Sequence, residues 1–314
     1  MAAGSESKDD PLALAALWQQ EGKRVALGVV MKTWGSSPRP VGSLLAVRED
    51  GTFMGSVSGG CIEGAVIREA LEMIENGPPR RLSFGVSDEE AWGVGLACGG
   101  SVEVLLFCPL PLQPLALELA SGHSMALVID LASGGQTLLG NDTRSPLATG
   151  LAEEGARFVL ALRPALKLVI IGAVHIAQAL APMAALAGFQ VTVIDPRGAF
   201  ASPERFPGTE VCSEWPDDAL ANRPLDASTA LVALSHDPKL DDPALQLALA
   251  SPAFYIGALG SKTNQARRLQ RLGAGEGRIH GPIGLDIGAK LPEEIAISIL
   301  AEIIQALRRP QTAS

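Results

Sequence analysis

Apolar residues run along this chain in two different rhythms. Up to about residue 140 the runs are short and broken by turn residues. RVALGVVMKTWG, GSLLAVRED, TFMGSV, SVEVLLFC, SMALVIDL and GGQTLLG each predict a strand. Asp50-Gly51, between the second and third, is a hairpin signal. Two helical stretches interrupt them. One covers Pro11 to Gln20. The other begins near Cys61, where Ile62, Val66, Ala70, Met73 and Ile74 recur at three- and four-residue spacing until Gly77-Pro78-Pro79 stops the pattern. Residues 11–140 therefore predict a mixed α+β domain with mostly short-range strand pairing, behind about ten disordered residues.

After a connector over residues 141–165 the rhythm changes. KLVII, QVTVID, TALVALSH and FYIGALG are continuous apolar runs separated by helix-length stretches. That alternation predicts a Rossmann-like, doubly wound parallel sheet over residues 166–309, so the fold class is α/β with a mixed α+β domain in front. The last helix, PEEIAISILAEIIQALRR, opens on Pro292 and two glutamates and closes on two arginines, which suits the helix dipole. From Leu168 to Ile194 there is no charged residue, long enough to suggest a membrane span. Gly172, His175, Pro182 and Gly188 divide it into strand, turn, helix, turn and strand. A buried βαβ unit explains it better, and no membrane partner is expected.

Composition narrows the function classes. The 314 residues are 47% hydrophobic and 19% charged, with a net charge of −9. Such a chain can bury a core, and it lacks the basic face that a nucleic-acid partner requires. The four cysteines, Cys61, Cys98, Cys108 and Cys212, are too scattered for a disulfide framework and show no zinc-ligand spacing. The opening MAAGSESKDD is polar and acidic rather than basic and apolar, so a cytoplasmic location is expected.

Candidate chemistry falls in both halves. LVIIGAVHIAQAL stands where a Gly-x-Gly-x-x-Gly turn belongs, but its three slots hold Gly172, Val174 and Ala177. Val174 adds a side chain where a pyrophosphate would approach. Asp195, ending the next strand, takes the place of a ribose-binding acid. In GSVSGGCIE, a helix capped by Ser58 or Gly60 would put Cys61 in its first turn, where unpaired N–H groups favour a thiolate or an anion. Glu63 would compete for that field or cap N–H groups itself. GLACGGSVEV repeats the vocabulary at Cys98, and packing is the alternative for both thiols. Cys108 and Cys212 read as packing residues. Gly260, Ser261 and Lys262 precede another helix. Arg267, Arg268 and Arg271 within it read as a solvated face. His236 and Asp237 end a sheet strand, where they line a crevice or form a plain turn. HGPIGLDIG adds His280 and Asp286 in a shaped loop at the same edge.

TWGSSPRPVG, GSVSGGCIEGAV and ACGG resemble the N-terminal domain of the XdhC/CoxI family. SHDPKLDDPAL, FYIGALGSK and RIHGPIGLDIGAKLPEEIAISILAEII resemble its C-terminal Rossmann domain. The resemblance covers about residues 12 to 308. It implies an accessory protein that binds molybdenum cofactor, as molybdopterin or its cytidine dinucleotide form, protects it and supports its sulfuration with a cysteine desulfurase. Delivery to an apo molybdenum hydroxylase such as xanthine dehydrogenase follows. The resemblance makes Cys61 and Cys98 the candidate contacts to cofactor and metal. It places His175 on the histidine of a GAGH turn that here reads Gly-Ala-Val-His. Ser58, Gly59 and Gly60 are then candidate donors to phosphate or pterin, and Arg39 a candidate bidentate partner. Gly172, His175, Asp195, Gly260 and Ser261 are candidate nucleotide contacts. A non-catalytic maturation factor, acting as a homodimer, is the leading expectation. An NAD(P)- or nucleotide-dependent oxidoreductase and a pure protein adaptor are the alternatives.

Overall fold

The computed structural model describes residues 10–35, 39–85, 100–140, 147–273 and 275–308. Contacts divide the chain into one unit ending at Pro164 and a second beginning at Ala165. The expected N-terminal disorder and the Cys98 loop lie outside the described residues.

The first unit is built on a five-stranded antiparallel sheet with order β3-β2-β1-β5-β4. Its strands are β1 (Val25–Trp34), β2 (Leu44–Arg48), β3 (Phe53–Gly55), β4 (Arg80–Phe84) and β5 (Ser101–Phe107). The hairpin at Asp50-Gly51 forms as its turn chemistry predicts, with Gly51 at φ 86. Helix α1 (Pro11–Gln20) starts on Asp10, whose carboxylate accepts the Leu12 N–H at 2.9 Å. Helix α2 (Glu63–Asn76) lays Val66, Ala70, Met73 and Ile74 against Ala26, Val30, Leu45, Val104 and Leu106. The opposite face of the sheet (Leu27, Val29, Leu105, Phe107) packs on α1, on helix α3 (Gln113–Ala120) and on a second antiparallel sheet. Strand β1 is thus buried on both faces, which its unbroken apolar run records.

The second sheet has order β7-β6-β9-β8, from β6 (Met125–Asp130), β7 (Gln136–Gly140), β8 (Gly150–Ala152) and β9 (Arg157–Leu162). The stretch read as a connector therefore carries two strands. Phe158 and Leu160 of β9 are needed to complete the core opposite Leu127 and Ile129. Most pairings in this unit are local hairpins, but β1 with β5 and β6 with β9 join distant segments.

The second unit is a six-stranded, fully parallel sheet in the order β12-β11-β10-β13-β14-β15. The strands are β10 (Leu166–Ile171), β11 (Phe189–Ile194), β12 (Glu210–Cys212), β13 (Thr229–Ala233), β14 (Tyr255–Ala258) and β15 (Ile279–His280). Strand order reverses between β10 and β13, the arrangement of a dinucleotide-binding fold. Helices α4 (His175–Leu186), α5 (Pro216–Ala221), α6 (Pro238–Leu249), α7 (Lys262–Leu272) and α8 (Pro292–Arg308) cover its faces. The uncharged stretch proves to be β10, α4 and β11. No helix among the described residues is long and apolar enough to cross a membrane.

Candidate functional site

In the first unit, strand register gathers the motifs at one end of the five-stranded sheet. Strand β1 ends there at Trp34, which lies opposite Ser101, the first residue of β5. Strand β2 starts there, with Leu44 opposite Val29, and β3 ends there, with Gly55 opposite Leu45. The end of β1 at Trp34, the segment from Arg39 to β2, the Ser56–Cys61 loop and the start of β5 are therefore neighbours by topology. A concavity of about 330 Å³ opens at this end, lined by Pro11, Arg39, Gly42, Ser43, Leu44, Gly55 and Ser56. Gly55 makes its wall possible. It sits at φ +93, and a Cβ there would meet the Leu44 carbonyl and Pro11.

The loop after Gly55 is held from inside by Glu63. Its Oε1 accepts from Ser56 Oγ at 2.6 Å, from Val57 N at 3.1 Å and from Ser58 N at 2.9 Å. Its Oε2 accepts from Ser58 Oγ at 2.6 Å and Gly60 N at 2.9 Å. Ser56 Oγ in turn accepts the Gly59 N–H at 2.8 Å. Burial disfavours the charged carboxylate, but the bonds from Ser56 and Ser58 outweigh it and lower its pKa to about 2. This corrects the expected anion cradle. Five donors of the Ser58–Gly60 stretch and its neighbours are already committed to a carboxylate of the chain itself. Ser58 is buried, and only Gly59 and Gly60 reach the surface.

The helix also starts later than the periodicity suggests. Its N-cap is Ile62, so Cys61 stands just before the helix and not in its first turn. The Cys61 thiol is free and exposed. A glycine pair at positive φ (Gly59 at 84, Gly60 at 121) turns the chain outward in front of it. Cys108, read as packing, is exposed at the far end of β5, and Cys212 is buried as expected. Among the described residues no group of three or more His, Cys, Asp or Glu could hold a metal ion. Cys98 lies outside them. Sequence reasoning passed over Trp34, which is 73% exposed beside the start of β5. Its position two residues after a charged lysine, at the end of an otherwise buried strand, was the available signal.

In the second unit the predicted residues do share one edge, the carboxyl ends of the strands. Gly172 has φ +99, and a Cβ there would lie 2.8 Å from Ser235 N, so only glycine lets the β10 turn approach the end of β13. His175 opens α4 and is exposed. His236 is exposed with φ 61, an uncommon conformation for a non-glycine residue. Asp237 is the N-cap of α6, accepting the Lys239 N–H at 3.0 Å, so the turn reading holds for it. Ser261 caps α7, accepting from Asn264 N at 3.2 Å, beside Gly260. His280 is tied through Nδ1 to Glu302 at 3.1 Å, which also accepts from Tyr255 Oη and Gly284 N, each at 2.6 Å.

Two expectations here are corrected. Asp195 does not face the crevice: it is fully buried, with both oxygens bonded to Arg197 and one to Ala173 N. Burial opposes its charge, yet those bonds keep its pKa below the ordinary value. Arg268 is not part of a solvated face. It is 5% exposed, donates to Gln265 Oε1 at 2.8 Å and to the Leu259 carbonyl at 2.9 Å, and lies 3.9 Å from buried Asp241. Arg271 does pair at the surface, with Asp242 at 2.7 Å.

A parallel nucleotide-type sheet with an altered glycine turn, preceded by an antiparallel unit that presents a glycine-flanked thiol, defines the class as a two-unit Rossmann protein lacking the usual dinucleotide fingerprint. Comparison with known proteins narrows it. Residues 168–303 match the XdhC Rossmann domain and residues 18–85 match the XdhC and CoxI family. The chain is 33% identical over 292 residues to the molybdenum cofactor insertion chaperone PaoD of Escherichia coli K12, covering 90% of this chain and 83% of that protein. It is 27% identical to a probable xanthine dehydrogenase subunit of Bacillus subtilis 168, over 92% of this chain and 95% of that one. A crystal structure described as a xanthine dehydrogenase from Bacillus halodurans superposes with a TM-score of 0.79 at 28% identity, covering 97% and 98% of the two chains. The chain belongs to the XdhC and CoxI family.

Proposed function

We propose that this protein binds molybdenum cofactor as cargo and hands it to an apo molybdenum hydroxylase of the xanthine dehydrogenase or aldehyde oxidase type. The observation that carries the reading is Cys61, a free thiol turned outward on a loop made rigid by Glu63, at the same sheet end as the Arg39–Ser56 concavity. Thiolates suit soft, sulfur-rich centres. The cargo's phosphate suits the concavity better than the loop, whose N–H groups are committed to Glu63; Arg39 and Ser43 supply the polar lining. Trp34 offers a flat surface for a pterin ring. Cys98 enters the proposed set on the family motif alone. The names of the similar proteins, a cofactor insertion chaperone and a xanthine dehydrogenase component, support the same role.

The finer parts of this reading are sulfuration with a cysteine desulfurase, a homodimeric state and a cytoplasmic location. Glu63, two residues from Cys61, is fully engaged by hydrogen bonds from its own loop. Copurification from cells that make the cofactor, with metal and pterin analysis, tests the proposal. Wild type should carry both, and Cys61→Ala should carry about tenfold less, the loss of roughly 1.4 kcal/mol. Equal loading of the variant would remove Cys61 from the site and favour a pure adaptor. Wild type free of metal and pterin, with oxo and sulfurated cofactor alike, refutes the reading.

A further inference from the structure

The crevice of the second unit has the strand order of a dinucleotide site, and at its ribose position stands Asp195. In such a site the acid ending the second strand accepts the hydroxyls of the adenosine ribose. A carboxylate has about four good acceptor positions. Here four are filled from within the chain: Oδ2 by Ala173 N at 2.8 Å and Arg197 Nη2 at 2.7 Å, Oδ1 by Arg197 N at 3.0 Å and Arg197 Nε at 2.8 Å. Arg197 binds as a two-pronged fork, the geometry that also matches a vicinal diol's two donors.

The fork is braced. Its guanidinium carbon lies 4.4 Å from the centroid of Phe200. Arg205 also stacks on Phe200, at 5.4 Å, and donates to the Phe200 carbonyl at 2.7 Å and the Ala173 carbonyl at 3.0 Å. Ala173 is the residue after Gly172, so the same cluster pins the glycine turn. The Asp195 side chain is fully buried while that of Arg197 is 41% exposed, so Arg197 stands between the carboxylate and solvent.

We infer that Arg197 is a built-in occupant of the ribose-diol seat and determines the ligand specificity of this crevice, excluding nicotinamide adenine dinucleotides and other ligands that are recognised through a free ribose diol. The inference concerns the second unit alone and stands whether or not the first unit carries molybdenum cofactor. A Rossmann sheet here keeps its architecture but has its main recognition acid already occupied. Only a ligand that does not need Asp195 can use the edge formed by His175, His236, Gly260 and Ser261.

Calorimetric titration of the full chain tests this. Wild type should bind NAD+ weakly or undetectably and should not distinguish it from the analogue lacking the adenosine 2′-hydroxyl. Arg197→Met keeps an apolar stem against Phe200 and frees the carboxylate. It should bind NAD+ at least about tenfold more tightly than wild type, and it should prefer NAD+ over the deoxy analogue. The same pair is compared in a Val174→Gly background, so that the missing second glycine does not mask the gain. A circular dichroism spectrum confirms that each variant is folded. Wild type that prefers NAD+ over its deoxy analogue by about tenfold overturns the inference without any variant. So does an Arg197→Met variant, folded in both backgrounds, that binds NAD+ no better than its parent.

Discussion

Replacing Glu63 with glutamine should loosen the Cys61 loop. The carboxylate is 7% exposed and accepts five hydrogen bonds, two from hydroxyls at 2.6 Å and three from backbone N–H groups. The amide keeps one acceptor and turns the other into a donor that faces the Gly60 N–H. Holding the carboxyl at about 2 against an ordinary 4.5 corresponds to about 3 kcal/mol of folded-state stabilisation. Orphaning two or three buried donors gives a similar figure. Glu63→Gln should therefore lose about 3 kcal/mol at pH 7. Urea denaturation followed by tryptophan fluorescence, in a Trp215→Phe background so that the remaining tryptophans all lie in the first unit, measures it. The direction with pH follows from the depressed value. The stabilisation is complete above the unfolded pKa near 4.5 and fades as pH falls toward about 2. The gap between wild type and variant should accordingly be flat from pH 6 to 8, as both values lie below that range, and should shrink below pH 4.5. A gap under about 0.5 kcal/mol at pH 7, or one that does not shrink in acid, refutes the reasoning.

Other perturbations separate the roles of neighbouring residues. Gly172→Ala should cost about 2–3 kcal/mol in thermal melts, because φ +99 and the approach to Ser235 exclude a Cβ. Tyr255→Phe should cost about 1–2 kcal/mol at pH 7 by removing the 2.6 Å bond to Glu302. Since His280, Tyr255 and Gly284 outweigh burial and lower the Glu302 pKa, that cost should narrow as pH falls below the ordinary 4.5. Arg268→Ala should cost about 3–5 kcal/mol in chemical denaturation, because it strands buried Asp241. Iodoacetamide added to native protein should label Cys61 before Cys212, read by peptide mass, and equal rates would contradict their exposures.

Much of this architecture was legible in the pattern of apolar positions. The parallel strands are continuous apolar runs, and α2 buries Val66, Ala70, Met73 and Ile74, the residues whose spacing announced it. Strand β9 was missed because the pairing that gives it meaning, Phe158 to Ile129, is distant and its flanks are polar. The engagement of Glu63 was partly legible, since an acid after two glycines and a cysteine competes for free N–H groups. Its five bonds were not, because they depend on how the loop folds back over the carboxylate. Arg268 misled for a related reason. A helix with mostly polar residues hides Gln265 and Arg268 on its inner side, and only the carbonyl of Leu259 and the carboxylate of Asp241 explain why. Asp195 was placed correctly at the end of β11, but the strand pattern says nothing of a partner two residues on.

The pairing of β1 with β5 also bears on biosynthesis. The Cys61 loop leaves the ribosome well before Ser101–Phe107, the strand that flanks β1, and before Arg157–Leu162, which completes the core behind it. At about 5–20 residues per second, roughly 5–20 s separate Cys61 from the end of β9. Through that interval the thiol has been made but the sheet end around it has not closed. On the proposed function, cargo would meet the finished sheet end only on a first unit synthesised through β9, although the residues that line the concavity all precede Cys61.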